Sequence, residues 1–180
     1  MGGAAVNAAK DDGATPLHIA VMGLKEGNVC VLLQSKWGAA VDLKNGDGNT
    51  PLHLACSEMS LWYRGNTIFK ALMMREAAVD STNSNGATPL HLACNSRYLS
   101  DFVLPLLARG APVSAADNAG CTPLFYASQK GCLEAVKELL TWGAKADAAS
   151  NDGRTPLAVA EAGGHLDVAN HLRAHLLALP

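Results

Sequence analysis

Apolar residues in the last third of the chain fall at helical spacing. Val136, Leu139 and Leu140 share one helix face, and Val168, Leu172 and Leu176 share another. Ahead of these two runs stands a polar, glycine-bearing stretch that closes on Thr-Pro-Leu. Thr is a good N-cap, its hydroxyl accepting from an early helix N–H, and Pro fits the first helical position, where a missing N–H costs nothing. The pattern predicts helix pairs: a first helix opening at the threonine, a turn, and an antiparallel second helix carrying the apolar face. First helices are predicted to start at Thr15, Thr50, Thr88, Thr122 and Thr155.

The pattern is an internal repeat. Thr15-Pro16-Leu17-His18-Ile19-Ala20 returns as Thr50-Pro51-Leu52-His53-Leu54-Ala55 and as Thr88-Pro89-Leu90-His91-Leu92-Ala93. It returns again as Thr122-Pro123-Leu124-Phe125-Tyr126-Ala127 and Thr155-Pro156-Leu157-Ala158-Val159-Ala160. The threonines lie 35, 38, 34 and 33 residues apart. A glycine stands two residues before each: Gly13, Gly48, Gly86, Gly120 and Gly153. Gly38-Ala39, Gly110-Ala111 and Gly143-Ala144 close three of the units.

This signature and a period near 33 residues resemble the ankyrin repeat family. The resemblance runs from about Gly3 to Leu179. It implies an all-α ankyrin-repeat solenoid of five helix-turn-helix units with protruding β-hairpin loops, forming one domain over 1–180. The repeats would fall at about 10–44, 45–82, 83–116, 117–149 and 150–180. No unit buries its apolar face alone, so the stack makes the core. In the family the signature histidine bonds nearby backbone and stiffens the loop. That role carries to His18, His53 and His91, while Phe125 and Ala158 cannot play it. The early glycine permits a positive φ, and the late one ends the second helix.

The copies differ. Units four and five are regular; Glu134 and Asp167 follow Gly131 and Gly164 at the family's spacing, and His165 matches its turn histidine. Unit one reads as two residues longer between its helices, around Gly23–Asn28. Unit three has one extra residue around Asn95–Ser100, and unit two has five within Glu58–Thr67. Unit two also has Glu76 where a helix-ending glycine belongs, which predicts either another ending or a strained turn. Its insert invites two readings: Trp62, Tyr63 and Arg64 as a binding lobe, or Leu61 and Trp62 folded back over the helix turn.

Composition narrows the function. Apolar residues are 49%, aromatics 5% and charged residues 17%, against about 25% charged in an average soluble domain. With 14 Lys+Arg against 16 Asp+Glu the formal charge is −2, unlike a nucleic-acid binder with its basic stripe. No apolar run approaches a membrane span of about 18 residues. The N-terminus does not read as a signal peptide, and Val6 stands where a myristoylation motif wants Ser or Thr. Five cysteines without CxxC spacing favour reduced thiols in the cytoplasm or nucleus; Cys121 is expected to be the most exposed, and Cys30 and Cys132 to serve packing or turns. Gly3–Ala8 matches the tail of a repeat, so the sequence reads as a segment of a longer array or as one with a short cap. The apolar end, Leu172–Pro180, fits a continuation or a covering partner.

Catalytic and metal chemistry find no support. The histidine row has a structural explanation, His171 and His175 read as a solvated helix face, and no Cys or Ser stands with a base and an orienting group. No cofactor or metal is expected. By resemblance, partners bind the concave groove lined by hairpin tips and first helices, at positions that vary between repeats. These are Asp11, Asp12, Ala14 and Met22; Lys44, Asp47, Asn49, Ser57 and Glu58; Thr82, Ser84, Asn85, Asn95 and Ser96; Asn118, Cys121, Gln129 and Lys130; Asn151, Asp152, Arg154 and Ala162. Trp62 and Tyr63 join them if the insert is a lobe. The set is polar and acidic toward the start, which predicts a protein or peptide partner with a basic segment meeting Asp11, Asp12, Asp47 and Glu58. The expected state is a monomeric, non-enzymatic interaction module that binds neither nucleic acid nor membrane. The rivals are a recognition segment of a larger enzyme, channel or scaffold, and a spacer without a ligand.

Overall fold

The computed structural model describes residues 6–34, 38–57, 62–96 and 100–178, apart from the side chains of 62–65 and 100. Ten helices lie among them: α1 (Pro16–Met22), α2 (Glu26–Leu33), α3 (Pro51–Ala55), α4 (Trp62–Met74), α5 (Pro89–Cys94), α6 (Ser100–Ala108), α7 (Pro123–Lys130), α8 (Leu133–Thr141), α9 (Pro156–Ala162) and α10 (Leu166–Leu177). No strand occurs among the described residues. Odd and even helices pair in chain order, and each odd helix packs on the next odd one, from α1 to α9.

The repeat positions explain the packing. Each first helix opens at a threonine in extended conformation with proline next to it. Two residues on, Leu17, Leu52, Leu90 and Leu124 are buried, with Leu157 partly so, and Ala20, Ala55, Ala93, Ala127 and Ala160 let neighbouring helices approach. One apolar cluster runs from Val6 to Leu172. Truncating a fully buried leucine such as Leu90 to Ala costs about 2–5 kcal/mol by transfer and cavity terms.

The expected β-hairpins are tight turns. Lys10 N–H donates to the Ala14 carbonyl and Gly13 N–H to that of Lys10, at 3.0 and 2.9 Å, and later units repeat the motif. One backbone bond joins each turn to the next: Gly46 N–H to Asp12 O (2.7 Å), Ser84 to Asp47 (3.0 Å), Asn118 to Asn85 (2.9 Å) and Asn151 to Ala119 (2.9 Å). Single bonds between successive turns make no ladder. They do bring backbones so close that a Cβ on Gly48 would lie 2.7 Å from the Ser84 nitrogen, and Gly48 has φ +73° besides. Glycine is required there on both counts.

The irregular units depart from the pattern in definite ways. In unit one the turn between helices has ordinary length. Leu24, nine residues after its threonine, takes φ 51°, as Gly131 and Gly164 do with φ 67° and 68°. The two extra residues therefore fall later in the unit, after the start of α2 at Glu26. In unit two most of the insert lengthens the second helix, 13 residues in α4 against 9 in α8. Glu76 makes the strained turn: it adopts φ 57° where Gly110 and Gly143 have 85° and 86°.

Candidate partner-binding surface

The turn tips are held from below by the histidine row. His18, His53 and His91 are buried. Thr50 N–H donates to His53 Nδ1 at 3.2 Å, with the Thr50 hydroxyl 2.8 Å from the same nitrogen. His53 Nε2 reaches the Ala87 carbonyl at 3.0 Å. A carbonyl only accepts, so Nε2 carries the proton and Nδ1 is the bare acceptor. His18 repeats this with Thr15 and the Asn49 carbonyl, at 3.2 and 2.9 Å. His91 repeats it with Thr88 at 3.0 Å and shares its Nε2 between Ala115 and Cys121, at 3.1 and 3.2 Å. Each ring therefore ties a helix start to the next unit's turn. Burial pushes all three histidines below their ordinary value, His53 to about 4, which keeps the row neutral.

Unit four solves the same junction differently. Phe125 replaces the histidine, and Arg154 stands one residue before its signature threonine, as Asn49, Ala87 and Cys121 do. The Arg154 guanidinium lies 5.5 Å from the Phe125 ring centroid, a cation–π contact, and pairs with Asp152 at 2.6 Å. Hydrogen bonds from Ser150 and then Arg154 hold the Asp152 carboxyl below its usual range. Tyr126 donates to Asp117 at 2.7 Å while Asp117 caps its turn through Ala119 and Cys121 N–H, both at 2.9 Å. The sequence signal for this cluster is the pair of aromatics in the fourth signature with an arginine one repeat later.

The tip residues divide by what they already hold. Asn118 and Asn151 each spend a side-chain N–H on the preceding tip, Ser84 O and Asn118 O, both at 3.0 Å. Asn49 accepts from Asn83 at 3.0 Å, and Lys44 donates to Thr82 O at 2.7 Å. Asp12 caps Ala14 N–H at 2.9 Å, and the half-buried Ser57 bonds Leu54 O at 2.8 Å. Asp11, Asp47, Ser84, Asn85 and Gln129 are exposed, as is Met22 at 46%. Asn95 and Lys130 are half-buried, and Thr82 and Ala162 are exposed.

Some expected residues leave the outward set. Ser96 is 1% exposed and Cys121 6%. Cys121 is shielded by Phe125, Val159 and Tyr126, so it is not the most exposed thiol. That is Cys30, on the outer side of α2 and not a packing residue. Ala14 is buried too. Glu58 and the side chains of Trp62, Tyr63 and Arg64 lie outside the described residues. His165 bonds Gln129 O at 3.0 Å, and His171 and His175 are half-buried. Among the described residues no three His, Cys, Asp or Glu side chains gather as a metal site, and no helix is long and apolar enough to cross a membrane.

A family model described as ankyrin repeats, in three copies, matches the chain at residues 25–117, 59–150 and 100–176. No curated protein matches it.

Proposed function

The chain belongs to the ankyrin repeat family, whose members are generally protein–protein interaction modules, and from that premise we propose that it is a five-unit, non-enzymatic module binding a protein or peptide in the groove between its tips and first helices. The observation that carries the reading is the rigid linkage of successive tips. Backbone bonds, side-chain amides and the histidine row fix the turns relative to one another, so the surface is preformed and little ordering entropy is lost on binding.

The partner carries a basic segment. Asp11, Asp12 and Asp47 are exposed on neighbouring tips that the Gly46 N–H to Asp12 O bond joins, and an acidic patch steers and orients a basic partner more than it adds affinity. Met22, exposed at the end of α1, offers an apolar contact. The module works as a monomer, and a reducing cytoplasmic or nuclear setting suits its five cysteines. The test is affinity capture from the native source with the wild-type chain and with a D11K/D12K/D47K variant of unchanged melting temperature. A partner retained by the first and lost by the second supports the reading. Equal recovery on both overturns the acidic groove.

A further inference from the structure

A second concave feature lies away from the tips, between α4 and α6. These are the least closely packed of the adjacent second helices, and two substitutions set them apart in sequence. Positions equivalent to Phe69 in units three, four and five hold Val103, Val136 and Ala169, and those equivalent to Phe102 in units two, four and five hold Ile68, Ala135 and Val168. The two phenylalanine rings stack face to face, 4.1 Å between centroids and 3° between planes. A face-to-face ring pair thus stands where the other units place aliphatic side chains.

Against this ring pair lies a cleft of about 530 Å³, within the roughly 300–1,000 Å³ usual for small-molecule sites. Phe69, Phe102 and Met73 make an apolar floor, and Met74, 83% exposed, and Pro105 make flexible and rigid walls. Two cations and one acid stand around it: Lys70, Arg109 and Asp101. Arg109 donates to the Met73 carbonyl at 3.0 Å, which fixes its guanidinium over the gap. Lys70 has no hydrogen bond or ion pair among the described residues. The lining contains no tip residue, so the cleft is separate from the groove.

We propose that this cleft binds a small anionic amphiphile, an aliphatic or aromatic body carrying one carboxylate. The apolar floor takes the body and the excess of positive charge selects the anion. A docked helix is the poorer occupant, because a specific protein interface buries about 800 Å² per partner and this site is lined by the faces of only two helices, of 13 and 9 residues.

The test uses decanoate as probe, titrated into the full ¹⁵N-labelled chain, with decanol as the neutral comparison. Saturable shifts confined to Asn66–Met74 and Asp101–Arg109 are expected. Lys70→Glu, at an exposed position, weakens decanoate by about fivefold or more and leaves decanol unchanged. Met74→Trp, which narrows the mouth, weakens both. Non-saturable shifts, shifts centred elsewhere, or equal decanoate affinity in Lys70→Glu and wild type each overturn the proposal. The groove reading is untouched by any of these results.

Discussion

His53 donates from Nε2 to the carbonyl of Ala87, 34 residues further on, at 3.0 Å, while its Nδ1 accepts from Thr50 N–H. One buried ring thus caps its own helix and fixes the next unit's turn. Replacing it with Ala strands the Ala87 carbonyl and opens a cavity. We expect a loss of about 2–4 kcal/mol, measured by urea unfolding.

The same ring makes the fold acid-sensitive. A second proton would sit on Nδ1 and point at the Thr50 N–H. Burial, with Lys44 and His91 adding to it, holds the folded His53 near 4 against an ordinary 6.5. The unfolded chain therefore takes up the proton first. The neutral ring's contribution is complete above about pH 6.5 and declines as pH falls toward 4, by of order 3 kcal/mol in total. A His53→Phe variant, imitating Phe125, should show a shallower loss of stability between pH 7 and 4.5 than wild type. Parallel curves would refute the linkage. Units four and five lack the signature histidine, so amide exchange at acid pH should rise first in units one to three.

Glu76 holds φ 57° where its counterparts are glycine. A side chain in left-handed conformation costs about 1 kcal/mol, so Glu76→Gly should raise stability by about that much, a shift of about 2–4 °C in Tm. Gly110→Glu is the reciprocal control and should lower it.

Much of this architecture is legible in the sequence, because cap, proline, inward leucine and close-contact alanine are local requirements repeated in phase. What is not legible depends on residues far apart. Leu24 hides a regular turn because glycine is the usual marker of positive φ, so unit one's extra residues are assigned too early. The burial of Cys121 requires Phe125, Tyr126 and Val159 to converge on it from two units. The cleft needs Phe69 and Phe102, one from each of two neighbouring repeats. The groove candidates are legible as variable positions, but not which of them, like Asn118 and Asn151, are already committed to holding their neighbours.

The thiols give a direct check on that burial. Cys30 is exposed, whereas desolvation raises Cys56 and Cys94 far above the usual thiol range and Cys121 less so. A thiolate is the reactive species. Native-state alkylation followed by peptide mapping should therefore label Cys30 first and leave Cys56 and Cys94 unlabelled until unfolding. Labelling of Cys121 before Cys30 would contradict the packing around Phe125.

At the last junction, Arg154 over Phe125 stands where a histidine bond serves the earlier units. Arg154→Ala should cost about 0.5–1 kcal/mol, and the effect should shrink in a Phe125→Leu background. A double-mutant cycle in urea measures the coupling, and a coupling of zero would remove the contact from the account.

The central claim is that a preformed tip surface, acidic at its start, recognises a basic segment. Calorimetric titration of the captured partner's basic segment into wild type and into the D11K/D12K/D47K variant, at two salt concentrations, tests it most directly. The account predicts that wild-type affinity falls with salt and that the variant loses at least about tenfold at low salt. Equal affinities for the two proteins, insensitive to salt, would contradict it.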